Sequence, residues 1–135
     1  YTLIGATQNF LYADMAEVLL QITQNGSQKI GVCTSKKREF AIKILKHFEL
    51  LHLFEFVSGG KIGETKDQQL AQLLNDKMIS QNSVMIGDRD VDLIAAKKTG
   101  LKSAGVLWGY GSIGELSGHS PNHLLKTQPE LLSLV

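Results

Sequence analysis

The sequence predicts an α/β fold, a doubly wound parallel sheet covered by helices on both faces. Helical and extended patterns alternate from end to end of the 135 residues, at lengths that suit right-handed crossovers. No repeat, low-complexity tract or linker interrupts the alternation, and both prolines lie after residue 120.

Each element has a local reason. Met15, Val18, Leu19 and Ile22 recur at helical spacing, with Asp14 as the N-cap and Asn25-Gly26 as the stop. A strand follows over Lys29–Cys33. The helical pattern returns over residues 36–47, through Phe40, Ile44 and Leu45 to Phe48, and yields to an extended piece over 54–58 that ends in Gly59-Gly60. Residues 67–77 form the next helix and 83–86 a short apolar strand. A helix over 91–99 is closed by Gly100, and a strand over 103–108 follows it. A small strand near Leu124 and a helix over 129–134 finish the chain.

Composition sets the outer bounds. A chain of this length makes one domain that buries roughly 65 to 70% of its unfolded surface. Hydrophobic residues make up 43% and charged residues 20%, and no apolar run approaches the ~20 residues of a membrane helix. A net charge of +1 gives no global case for nucleic acid or an anionic membrane as partner. The only cysteine, Cys33, excludes an internal disulfide and fits a reducing compartment, so a cytoplasmic location and a buried thiol are expected. The chain opens on Tyr1 rather than Met and has no signal-peptide pattern, which keeps an upstream segment in view.

In doubly wound folds the chemistry gathers beyond the carboxyl ends of the strands. Those positions are Thr34-Ser35, Ser58-Gly59-Gly60, Gly87-Asp88 and Gly109-Tyr110-Gly111. The stretch from Val84 to Asp92 puts three carboxylates into five residues, directly after an apolar run and a glycine. Asp88 stands at a strand tip and Asp92 one helical turn beyond it, a pair that suits a hard cation such as Mg²⁺. Asp90 reads as a helix N-cap. A calcium loop fails, because Leu93 takes the place of the turn glycine and Thr99 that of the bidentate glutamate.

Other signals weaken on inspection. Gly109 to Gly114 spells G-x-G-x-x-G, but Gly118 and Pro121 cut the following helix to about a turn, which disfavours a dinucleotide site. Residues 58–66 do not fit a Walker loop, and Cys33 with Arg38 falls one residue short of C-x5-R. Thr34 and Ser35 suit a phosphate oxygen and suit helix capping equally well. Lys36-Lys37-Arg38 reads as a solvated face or as attraction for an anionic substrate. Lys66 opens a helix, where a cation opposes the dipole, so its place calls for a separate reason.

Taken in order, Ile30 to Lys36, then Lys66, then Met85 to Asp92 resemble the haloacid dehalogenase superfamily of phosphotransferases, over nearly the whole chain. A receiver domain is a different doubly wound fold, in which the Thr and Lys follow the central Asp. Asp92 to Gly100 and Gly105 to Gly111 look like the phosphoglycolate phosphatase group within the superfamily. The resemblance implies a Rossmann-like core, a Mg²⁺-dependent phosphomonoester hydrolase and a small phosphorylated metabolite as substrate, with neither nucleic acid nor membrane as partner. By the same resemblance Thr34 donates to a phosphate oxygen with Ser35 beside it, Lys66 offsets the phosphoryl charge, Asp88 ligates Mg²⁺, and Asp92 acts through water or braces the loop.

The departure lies at the front. The family's nucleophile is the first Asp of an Asp-x-Asp on its first strand, and no Asp-x-Asp precedes Thr34. The expectation is one incomplete core over residues 1–135, with 1–12 a remnant of the cap-to-core connection and the first strand missing. The strands ending at Thr34 and Asp88 would then pair directly, be joined by a second copy or another segment, or belong to one part of a longer protein. Two functions follow from this: a hydrolase core inactive as the isolated chain, or a non-catalytic module that keeps the phosphate and metal pockets.

Overall fold

The computed structural model describes residues 2–5, 15–24, 28–108 and 111–134. Its strands are β1 (Thr2–Gly5), β2 (Lys29–Cys33), β3 (Val57–Ser58), β4 (Val84–Gly87), β5 (Lys102–Val106) and β6 (His123–Leu125). Its helices are α1 (Met15–Gln24), α2 (Arg38–His47), α3 (Lys66–Asn75), α4 (Asp90–Thr99) and α5 (Ile113–Ser117), with 3-10 turns at Leu51–Leu53 and Gln128–Leu134. The strands form one parallel sheet in the order β3-β2-β1-β4-β5-β6. The doubly wound class is therefore found.

Sequence pattern explains the two layers. In α1 the predicted stripe of Met15, Val18, Leu19 and Ile22 is the buried face. It packs with Ile30, Val84, Ile86, Ala104 and Leu131 in one core. Met85, the residue between Val84 and Ile86, points to the opposite core with Cys33, Leu70, Ala95 and Ala96. Strand alternation thus feeds both faces, and β4 is buried at every position, as a central parallel strand must be. Gly100 ends α4 in the left-handed region, at φ +76°, as its place after the helix predicts.

Several expectations change. The central slot is not vacant, because β1 fills it, pairing Leu3 with Ile30 on one side and with Val84 on the other. Thr2–Gly5, expected in the cap-to-core connection, therefore closes the two inner edges that β2 and β4 would otherwise expose. A four-residue apolar piece is too short for periodicity to reveal it as a strand. Asp90 is the first residue of α4 rather than its cap, which is Arg89, and the Asp90 carboxylate accepts from the Val91 N–H at 2.8 Å. The strand expected over 103–108 runs instead from Lys102 to Val106. Asp14, Asn25-Gly26 and Gly109-Tyr110 lie outside the described residues, as do residues 6–13. Among the described residues no helix is long and apolar enough to cross a membrane.

A strand paired on both sides has every N–H facing a neighbour. Ile4→Pro should therefore lower stability by about 3 kcal/mol or more, read as a shift in the urea midpoint. An unchanged midpoint would show that β1 is not in the centre of the sheet.

Candidate functional site

Strand order reverses beside β1, so the carboxyl ends of β2, β1 and β4 lie together where doubly wound sheets bind ligands. Thr34 leaves the tip of β2 and is buried, while Ser35 next to it is exposed. The Thr34 N–H donates to Ser58 O at 2.9 Å, and its Oγ1 accepts from the Lys36 N–H at 3.2 Å. That hydroxyl still has its own proton to donate. The Thr34 carbonyl accepts from Gln69 Nε2 at 2.9 Å.

Lys66 supplies the link between the strands. It is the first residue of α3, whose N-cap Thr65 donates its N–H to Gln68 Oε1 at 2.9 Å. Its Nζ donates to Cys33 O at 3.1 Å and lies 3.6 Å from Asp92 Oδ1. The Lys66 side chain is 7% exposed and that of Asp92 1%. A cation set against the helix dipole is thus held by a carbonyl on one element and a carboxylate on another.

Asp88 and Asp92 are both buried to 1% exposure. Asp92 Oδ2 accepts from the Arg89 N–H at 3.3 Å, bracing the turn into α4. The Gly111 N–H donates to Asp88 O at 2.7 Å, and Glu115 on α5 accepts from the Asp90 N–H at 3.2 Å and from Arg89 Nε at 3.0 Å. Two glycines make this packing feasible. A Cβ on Gly87 would lie 2.2 Å from Asp92 Cβ, and one on Gly111 2.2 Å from Asp88 O.

Burial pushes the Asp92 carboxyl up to about 6, against the pull of the Lys66 ammonium and with a further push from the Asp88 charge. Burial likewise raises the Cys33 thiol to about 11, so it stays neutral at pH 7 and is no nucleophile.

Thr34, Lys66 and Asp92 thus form one connected set, with Asp88 in the turn that leads from β4 into the helix carrying Asp92. Ser35 lies beside Thr34, and among the described residues nothing accepts its N–H. Among the described residues no three His, Cys, Asp or Glu side chains form a complete metal cage. Mg²⁺ needs only one or two carboxylates, completed by water and phosphate, and Asp88 and Asp92 are two buried carboxylates at the carboxyl end of the sheet. Asp88 and Asp92 therefore fit that ion better than Ca²⁺. In the basic run, Lys36, Lys37 and Arg38 are all exposed, and Arg38 Nε donates to Val57 O at 3.0 Å. Lys37, Arg38 and Lys61 line a cleft of about 360 Å³ beside that strand end. Sequence reasoning missed Gln69 and Glu115. The first carried no motif; the second stood directly after the G-x-G-x-x-G and was masked by it.

Comparison with known proteins places these positions in context. The family model for haloacid dehalogenase-like hydrolases matches residues 6–106. A 5'-nucleotidase of Pseudomonas aeruginosa is 31% identical over 127 residues, covering 91% of this chain and 57% of that protein. A phosphoglycolate phosphatase of Colwellia psychrerythraea is 30% identical over 131 residues, covering 93% and 57%. The crystal structure of a predicted phosphatase from Clostridium acetobutylicum superposes with a TM-score of 0.80 at 33% identity, over 90% of this chain and 58% of that one. The chain thus spans between half and two thirds of the length of these relatives.

The Asp92 carboxyl sets a pH dependence of the unusual sign. It ionises near 3.9 when unfolded and near 6 when folded, so its stabilising share is complete below about pH 4 and is lost as pH rises through 6. Without divalent cation, the stability of Asp92→Asn relative to the unmutated chain should rise by about 2 kcal/mol between pH 4.5 and 7, because pH-independent losses cancel in that difference. Urea unfolding at both pH values checks it, and a difference that stays flat would contradict the buried carboxylate.

Proposed function

The chain belongs to the haloacid dehalogenase-like hydrolases, and from that membership we propose that its site is the phosphoryl- and Mg²⁺-binding part of a phosphomonoester hydrolase. One observation carries the reading: the Lys66 ammonium sits between Cys33 O and Asp92, joining the tip of β2 to the first turn of α4. In this reading the Thr34 hydroxyl and the Ser35 N–H hold phosphoryl oxygens. Lys66 offsets their charge. Asp88 holds Mg²⁺, and Asp92 braces the Arg89 turn and orients Lys66. Bound there, Mg²⁺ would add positive charge against the phosphoryl oxygens. Phosphoryl transfer depends mainly on such positioning and charge stabilisation, which these side chains can supply.

The attacking carboxylate is the part this chain does not supply. No acid lies between Tyr1 and Asp14, and no Asp-x-Asp precedes Thr34. The 135-residue chain therefore binds phosphate without turning it over. That feature also favours the second reading, a phosphate- and metal-binding module without hydrolysis. An Asp-x-Asp encoded upstream of Tyr1 decides for the hydrolase. Because the names of the relatives differ, the substrate is assigned as a small phosphorylated metabolite, with phosphoglycolate its first candidate. The single buried Cys33 fits a cytoplasmic setting.

Calorimetry with inorganic phosphate should show binding that requires Mg²⁺, lost in Asp88→Asn and weakened roughly ten- to a hundredfold in Lys66→Met. Phosphate affinity unchanged by Lys66→Met would contradict the reading. The unmutated chain should not hydrolyse p-nitrophenyl phosphate, since nucleophile loss in a well-studied hydrolase costs on the order of 10⁶ in rate. Turnover at ordinary phosphatase rates would overturn the missing nucleophile.

A further inference from the structure

Gln69 stands three residues after Lys66 on α3 and is 3% exposed. Residues at that spacing share one helix face, and both reach the same loop across the domain. Lys66 Nζ takes the carbonyl of Cys33 and Gln69 Nε2 the carbonyl of Thr34, two consecutive peptides at the tip of β2. We infer that Gln69 is a positioning residue, which sets the direction of the phosphate loop by fixing the Thr34–Ser35 peptide; the inference rests on the phosphate reading of that loop.

Peptide planarity makes the link. In a trans peptide the C=O of one residue and the N–H of the next point in opposite directions within one plane. For the Cys33–Thr34 peptide, the carbonyl goes to Lys66 and the Thr34 N–H to Ser58 O, so α3 and β3 grip it from two sides. For the Thr34–Ser35 peptide, the carbonyl goes to Gln69, which turns the Ser35 N–H away from α3. Among the described residues that N–H has no acceptor, so it is a donor held ready for an anion. The loop is pinned again one residue on, where Lys36 O accepts from the Gly60 N–H at 2.8 Å. Gln69 is the side chain that decides which way the intervening donor faces. A primary amide suits the task because Nε2 donates without adding charge to the loop.

Glutamate at this position offers a switchable copy. When protonated, Gln69→Glu can donate to Thr34 O; when ionised, it turns two acceptors toward a carbonyl. Gln69→Leu keeps the bulk and removes the donor. With inorganic phosphate and Mg²⁺ as the probe, Gln69→Leu should weaken binding about five- to tenfold, the scale of one lost hydrogen bond. The affinity of Gln69→Glu relative to the unmutated chain should recover as pH falls from 8 to 5, a trend that packing alone would not produce. Backbone 15N relaxation without phosphate gives a second readout. Thr34, Ser35 and Lys36 amides should become more mobile in Gln69→Leu while those of α3 stay ordered. Unchanged loop order in Gln69→Leu, or a pH-independent ratio for Gln69→Glu, overturns the inference. Failure of the unmutated chain to bind phosphate overturns the phosphate reading instead, and the relaxation data then decide Gln69's hold on the loop alone.

Discussion

The buried ammonium of Lys66 is the constraint on which the site depends. An ion removed from water is costly unless it is paired and hydrogen-bonded, and breaking a buried pair typically costs about 3 to 5 kcal/mol. Lys66 meets that demand with Cys33 O and Asp92 Oδ1, groups from different parts of the chain. Satisfying one charge therefore ties the tip of β2, the start of α3 and the first turn of α4 into a single arrangement. The helix-start position, unfavourable for a cation by itself, is what lets the side chain reach both partners.

Burial shapes the charge at the site. Asp88 and Asp92 are both buried, and burial, with a smaller push from the Asp88 charge, makes Asp92 reluctant to ionise. Close packing holds them there. Gly87 lets Asp92 come against the strand, Gly111 lets its own backbone reach Asp88 O, and Glu115 ties the intervening turn to α5. Two buried carboxylates, a lysine and the Ser35 N–H at one end of the sheet are suited to a cation and an anion bound together.

Much of this was legible in the sequence, for reasons that differ by element. The α1 stripe, the Lys29–Cys33 strand and the Gly100 stop each carry a local signal, periodicity or a backbone demand, and each stands where that signal put it. Lys66 was marked by its conflict with the helix dipole, but the partners resolving the conflict lie far off in sequence and could not be read. β1 was invisible because four residues between two other strands owe their structure to pairing, not to pattern. Asp90 was displaced by one residue because Asp92 reaches back to the Arg89 N–H, leaving the cap position to Arg89. Gln69 belonged to no motif, and its role follows only from a contact across 35 residues.

With β1 in the centre, the sheet brings β2 and β4 to either side of one short strand, and everything assigned to the site lies at their carboxyl ends. Paramagnetic broadening by Mn²⁺, used in place of Mg²⁺, tests that convergence most directly. Amide resonances of Asp88 to Asp92 and of Thr34 to Lys36 should broaden together at low Mn²⁺, while those at the amino ends of the strands, such as Lys29 and Lys102, stay sharp. Broadening confined to another surface, or reaching the Asp88 loop without the Thr34 loop, would contradict a single site built around Lys66.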